Sequence, residues 1–523
     1  MNMGRRRGFR GSRSWGVIPM GRFAFAGLLW FLGAPVLVEG QEPALVEMSG
    51  YSTPLGSPAQ LADRLARILA DPALTRAHVG LVVQVAETGE VLYELQGEKL
   101  FVPASNTKIV TAAVALDALG AGYRWKTVLT ADGEVSEGVL EGDLWIAGRG
   151  DPWLTRGDVR TWPELLRRAG IRRITGDVIG DDRAFGGAQW GKGWFWHEIY
   201  ASWAAGVSAL QIRPNTVHAR LVPGPEVGDP ARFELLRPGP ALPMTVDVRT
   251  GAPGSAVRLH YEPPPEGGDV RLTGWIPAAD TVPLHLATHH PTMYLLAHLA
   301  EAMASAGIEV DGELRRALDG ERPTRSAWSH TVVSDSLGAA VAEMLKPSDN
   351  QMAESILRTV GLEVSGRGTA EAGLAIEEEV VAGWGIEPGA MSLSDGSGLS
   401  GYNRIAPGAM ARLLRAMWRH PEYQVFLNGL PVGAVDGTLR RRLSGTAAEE
   451  NVRAKTGSLA SARTLSGYLT DGSGETLVFS LMVNDYDVPG SVAIALEDLI
   501  IEQVAMYRRP VEPGWPAYRE DRP

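Results

Sequence analysis

The apolar pattern of this chain is of one kind at its two ends and of another in its middle, and nothing else in the sequence constrains the fold so tightly. SPAQLADRLARILAD (57–71) places Leu61, Leu65, Ile68 and Leu69 on one helical face. HVGLVVQVAETGEVLYELQ (78–96) reads as a hairpin around Thr88-Gly89, and a helix then runs through TAAVALDAL to a stop at Gly120. At the far end, helical texture returns at SDSLGAAVAEMLKPSDNQMAESILRTV (334–360) and continues to about 420. A second hairpin (463–485) turns at Asp471-Gly472-Ser473-Gly474, and VAIALEDLIIEQVAMY (492–507) closes the chain as an amphipathic helix. Between 124 and 333, short strand-like pieces alternate with Gly/Pro/Asp turns, with a helix near 291–306. The pattern predicts an α+β fold, an antiparallel sheet built from both ends of the chain and covered by helices, with a large β-rich insert between them.

A chain of 523 residues is too long for one ordinary core, and with no cysteine it has no thiol nucleophile, disulfide or thiolate metal site. Six arginines (Arg5, Arg6, Arg7, Arg10, Arg13, Arg22) precede the apolar run FAFAGLLWFLGAPVLV. A basic start, a short apolar run and small residues after it describe an export signal over 1–40, cleaved near Gly40. Membrane contact follows only if that segment stays uncleaved. Its removal moves the formal charge from −11 to about −16 and leaves no basic block, so nucleic acid is not an expected partner. No oligomeric state follows from the sequence.

Only six lysines occur among 50 basic residues: Lys99, Lys108, Lys126, Lys192, Lys346 and Lys455. An ammonium can lose its proton where a guanidinium effectively cannot. Ser105-Asn106-Thr107-Lys108 puts a lysine one helical turn after a serine, at a helix start whose free N–H groups favour negative charge. A neutral Lys108 can then act as base for Ser105. Lowering an amine from about 10.4 towards 7 costs roughly 4 to 5 kcal/mol, which burial and neighbouring cations must supply. Alone, the pattern is more often a helix cap beside a surface lysine. It is not alone: Ser348-Asp349-Asn350 lies in a turn between helices, and Lys455-Thr456-Gly457 precedes the C-terminal hairpin.

S-x-x-K, S-D-N and K-T-G in that order resemble the penicillin-recognising serine enzymes, the penicillin-binding proteins and serine β-lactamases. The stretches FVPASNTKIVTAA, ITGDVIGDD, GWFWHE, KPSDN, SDGSGLSGYNRIAP and RAKTGSL, with roughly 240 residues between the first two motifs, narrow this further. They are similar to the class C low-molecular-mass penicillin-binding proteins, D-alanyl-D-alanine carboxypeptidase/endopeptidases with an insert where this chain has its β-rich region.

The resemblance implies a transpeptidase-like domain in two parts, 50–123 and 334–508. An insert over 124–333, divided into two small domains, interrupts it, and a mobile tail (509–523) follows. It implies Ser105 as acylated nucleophile, Lys108 as its base, Ser348 as proton relay to the leaving amine, and Asn350 as holder of Lys108 and the substrate amide. Lys455 adds positive potential and with Thr456 meets the terminal carboxylate. Gly457 leaves room for substrate along the strand, and the backbone N–H groups of Ser105 and Ser458 form the oxyanion hole. The implied partners are peptidoglycan stem peptides and β-lactam antibiotics, with no cofactor and no metal.

Two departures bear on the substrate. Gly401 stands where relatives carry an arginine after D-G-S-G-L-S, the nearest being Arg404. Glu198 stands where relatives have aspartate, a candidate for the free amine of a diaminopimelate side chain. The alternatives are a β-lactamase-like hydrolase, against which stands the lack of an obvious E-x-x-L-N glutamate, and an inactive wall-binding scaffold of the same fold. His197-Glu198 fails the H-E-x-x-H zinc pattern at Ala201, and Ser397 and Ser400 lack the G-x-S-x-G spacing.

Overall fold

The computed structural model describes residues 55–236, 244–262 and 270–509. The expected export signal and all but the first residue of the expected tail lie outside these. The two ends of the chain do meet in one sheet. Strand His78–Val85 pairs antiparallel with Thr476–Asn484 along its whole length, from His78 opposite Asn484 to Val85 opposite Leu477. Val91–Leu95 extends the sheet on one side, and Ala462–Thr470 followed by Arg453–Leu459 on the other, all antiparallel.

Both faces of the sheet are covered, which is why its central strands read as nearly unbroken apolar runs rather than strict alternation. In Thr476–Asn484, Leu477, Phe479, Leu481 and Val483 pack with the helices Pro58–Leu69 and Gly490–Met506. Val478 and Met482 face the opposite way, into the core formed with the helices Thr107–Leu119, Leu337–Leu345, Asn350–Ser365 and Pro407–Trp418. The helix Thr107–Leu119 is buried through most of its length, so its face pattern is weak and alanines let neighbours approach. No helix among the described residues is long and apolar enough to cross a membrane.

Residues 124–336 carry their own sheets. Arg124–Ser136 forms a hairpin with Val139–Ala147 and pairs antiparallel with Ser326–Ser336, while short strands at 173–174, 178–181, 309–310 and 314–316 add parallel pairs. The helix Pro291–Ser305 packs on this sheet. Two three-stranded sheets share a separate core of Leu221, Val248, Leu272, Ile276 and Leu286 with their neighbours. One expectation shifts here. Residues 334–336, read as the return of helix, finish the strand Ser326–Ser336, and Ser336 caps the following helix by accepting from the Ala339 N–H. A capping serine is compatible with either state, and pairing of Ser336 with Arg124 decides it.

Leu481 is fully buried in a central strand, whereas Val333 is half exposed on an edge. Leu481→Ala is expected to lower unfolding free energy by about 2–5 kcal/mol and Val333→Ala by no more than about 0.5 kcal/mol, measured by urea denaturation.

Candidate active site

The segment before Ser105 is held from both sides. Val102 N–H donates to Asn484 Oδ1 at 2.7 Å, and Phe101 exchanges backbone hydrogen bonds with Ile405. Ala104–Asn106 then form a single 3₁₀ turn that leads into the helix Thr107–Leu119. Asn106 donates to Ser466 Oγ at 2.7 Å, and Thr464 Oγ1 donates to the Pro103 carbonyl at 2.8 Å, so the turn is fixed to the sheet. Two glycines let it sit that close. A Cβ at Gly398, where φ is +81°, would overlap the Ala104 carbonyl, and one at Gly457 would lie 2.6 Å from the Pro103 oxygen. The protein's own packing therefore requires glycine at 457, apart from any need of a substrate.

Lys108 is completely buried, and its amine has three neighbours: Ser105 Oγ at 3.1 Å, Asn350 Oδ1 at 2.6 Å and the Ser397 carbonyl at 2.5 Å. Burial pulls the amine down to about 8, against the opposing influence of Asp395, Asp349 and Glu354. A neutral amine has two N–H groups and one lone pair. The Asn350 and Ser397 oxygens can only accept, so they take the two hydrogens and the lone pair is left facing the Ser105 hydroxyl. Asn350 is held in the orientation this needs, because its Nδ2 donates to the Trp203 carbonyl at 2.8 Å.

One residue of each further motif, Asn350 and Lys455, lies close to this pair. Asp349 caps the helix Asn350–Ser365 by accepting from the Met352 N–H, and Ser348 ahead of it adopts φ +67°, a sparsely populated conformation for serine. Lys455 to Ser458 lie on the edge strand Arg453–Leu459. Lys455 is also completely buried and donates to the Thr456 carbonyl at 2.8 Å. Burial, and secondarily the Lys108 ammonium, push its amine well below the usual lysine range. Thr456 is half-buried and Ser458 exposed. Glu198 reaches this group only indirectly, through a hydrogen bond with the Trp203 side chain; burial raises its carboxyl.

Several residues behind the site lie outside the three motifs. Asp395 is a buried hub: its carboxylate accepts from the Gly398 and Ser400 N–H groups at 2.8 and 2.7 Å, from Asn403 Nδ2 at 2.6 Å and from Trp194 Nε1 at 2.8 Å. Glu354 accepts from the Gly396 and Ser397 N–H groups at 2.9 and 3.0 Å and pairs with Arg358. Together these carboxylates shape the loop whose Ser397 carbonyl touches Lys108. Trp194 and Trp203 come from the insert, where four tryptophans fall within residues 190–203. Arg404 folds back onto the Gly401 and Asn403 carbonyls, each at 2.8 Å, and a Cβ at Gly401 would meet open space.

A serine and lysine at a helix start, a Ser-Asp-Asn turn and a Lys-Thr-Gly edge strand on a helix-covered antiparallel sheet define a penicillin-recognising serine enzyme. The chain belongs to the D-Ala-D-Ala carboxypeptidase 3 (S13) family, whose sequence profile matches residues 61–502. It is 32% identical over 490 residues to a D-alanyl-D-alanine carboxypeptidase of Actinomadura sp. (strain R39), covering 90% of this chain and 88% of that one. It is 27% identical over 421 residues to the D-alanyl-D-alanine carboxypeptidase DacB of Haemophilus influenzae, covering 78% and 86%. The crystal structure of penicillin binding protein 4 (dacB) from Haemophilus influenzae superposes with a TM-score of 0.77 at 25% identity, covering 85% of this chain and 99% of that one. The chain is thus a serine-type D-alanyl-D-alanine carboxypeptidase.

The two glycines at 398 and 401 give a contrast within one loop. Gly398→Ala is expected to destabilise by about 1–3 kcal/mol, and Gly401→Ala by less than about 0.5 kcal/mol, in parallel urea titrations.

Proposed function

We propose that this chain hydrolyses the terminal D-alanyl-D-alanine bond of peptidoglycan stem peptides by acyl transfer to Ser105. The observation that carries the reading is the buried Lys108 amine, with two fixed acceptors and the Ser105 hydroxyl as its third neighbour. Neutral Lys108 takes the Ser105 proton as Oγ attacks the carbonyl carbon. The Ser105 and Ser458 N–H groups stabilise the oxyanion. The C–N bond then breaks, Ser348 passes a proton to the departing D-alanine amine, and water attacks the ester to release the shortened peptide and restore Ser105. Asn350 orients Lys108 and the substrate amide. Lys455 and Thr456 meet the carboxylate of the leaving residue, and that negative charge offsets the burial that disfavours an ammonium at Lys455. Gly457 lies on the same edge strand, beside which the substrate extends.

The same chemistry serves D-alanyl-diaminopimelate cross-links, for which the half-buried Glu198 offers a carboxylate to the free amine. Residues 1–40 direct the chain to the cell envelope, where its substrate lies. The catalytic body occupies 55–123 and 337–508, with the insert over 124–336 divided into two small domains.

Penicillins, which present a strained amide beside a carboxylate, acylate the same serine. Intact mass of residues 41–523 after brief exposure to benzylpenicillin is expected to show one persistent adduct, absent from Ser105→Ala. No adduct with the drug intact would support a scaffold, and no adduct with the drug consumed would support a β-lactamase. Because neutral Lys108 is the base, the acylation rate is expected to rise about tenfold per pH unit at low pH and to level off above about 8. Lys108→Arg, held protonated, is expected to lose at least about 100-fold at every pH in stopped-flow assays.

A further inference from the structure

Between the helix Tyr423–Gly429 and the edge strand, the chain makes a tight excursion over 430–439 that the chemistry above leaves without a task. One of the six lysines holds it. Lys346, two residues ahead of Ser348, pairs with Asp436 and donates to the Leu430 carbonyl at 3.2 Å. Its own carbonyl accepts from the Thr438 N–H at 3.1 Å. Asp436 in turn accepts from the Val432 N–H at 3.0 Å, and Leu439 is fully buried. Gly437 sits at φ +53° with a hypothetical Cβ only 2.7 Å from the Lys346 oxygen, so the turn rests directly on the segment that leads to Ser348. Thr438 is therefore a fixed point on an otherwise exposed rim, and its hydroxyl accepts from Thr456 Oγ1 at 2.7 Å.

Each threonine hydroxyl has one proton to give. A Thr456 proton spent on Thr438 is not available to a substrate. A Thr438 proton given to Thr456 leaves the Thr456 proton free and strengthens its donation, since hydrogen bonds in series polarise one another and an ionised acceptor draws the stronger bond. We propose that Thr438 is a positioning residue for the carboxylate subsite: when the carboxylate of the substrate's C-terminal residue arrives, the two hydroxyls rotate, Thr438 donates to Thr456 Oγ1, and the Thr456 proton is directed to that carboxylate. This rests on the reading that Thr456 meets that carboxylate. The Lys346–Asp436 pair serves by holding Thr438 in register with the edge strand.

The test uses steady-state kinetics on a peptide ending in D-alanyl-D-alanine and on its C-terminal carboxamide, with wild type, Thr438→Val, Thr438→Ala, Thr438→Ser and Thr456→Val. Thr438→Val and Thr438→Ala are expected to raise KM for the free-acid peptide about tenfold with kcat changed less than about twofold. On the carboxamide, kcat/KM should stay within about twofold of wild type, and Thr438→Ser should recover the wild-type KM for the acid. A structural role alone would weaken both peptides alike and would not be rescued by serine. Unchanged KM in Thr438→Val and Thr438→Ala, or equal losses on both peptides, would overturn the inference. If Thr456→Val loses the preference for the free acid while the Thr438 variants keep it, only the role of Thr438 fails. If Thr456→Val keeps the preference, the carboxylate reading of Thr456 fails and the role of Thr438 falls with it.

Discussion

A single buried amine sets the terms for the rest of this molecule. Lys108 has no carboxylate in direct contact, and taking an ammonium out of water without one is expensive enough to pull the amine down to about 8. Its acceptors come from remote parts of the chain: Asn350 is 242 residues away and Ser397 is 289. The sheet that joins the two ends, the loop gathered around Asp395 and the capped helix that starts at Asn350 all converge on those contacts. Disturbing any of them changes which groups the Lys108 amine meets, and with them the direction of its lone pair relative to the Ser105 hydroxyl.

The charge beneath the amine is balanced with equal care. Glu354, Asp395 and Glu377 are all buried, and the first two, with Asp349, oppose the downward pull of burial on Lys108. They are not equivalent. Glu354 is paired with Arg358, and Asp395 is surrounded by N–H donors, so each has compensation for being charged. Glu377 is pushed up to about 8, first by burial and then by the other two carboxylates, and is mostly neutral at pH 7. The negative potential at Lys108 is therefore smaller than a count of acids suggests, and burial prevails.

The parts that sequence reveals are those with a periodicity or a side-chain signature. The hairpins at 78–96 and 463–485 were legible because apolar runs of strand length flank turn residues. The three motifs were legible because catalysis needs particular side chains at a particular spacing. The contacts that fix the Lys108 amine and its partner Asn350 are made by backbone carbonyls, those of Ser397 and Trp203, and a carbonyl has no letter of its own. Asp395 stood inside a stretch whose resemblance drew attention to a missing arginine, while its work is to gather N–H groups from its own loop and the indole of Trp194. The parallel pairs of the insert, only two residues long at 173–174 and 309–310, are too short to leave a pattern.

The placement of the insert follows from its geometry. It leaves the catalytic body at Arg124 and returns at Ser336, and these two residues are paired across neighbouring strands. An excursion that starts and ends at one point adds little closure cost and leaves the main sheet undisturbed, whatever its length. Yet it is not an appendage. Ala188 accepts from Arg358, Gln211 donates to Ser355, and the Asn215 N–H donates to Gln351, so the insert is fastened along the helix that begins at Asn350. Its Trp203 carbonyl then determines which end of the Asn350 amide faces Lys108. A segment whose two ends meet at the edge of the main fold thus also fixes, through Asn350, the surroundings of the Lys108 amine.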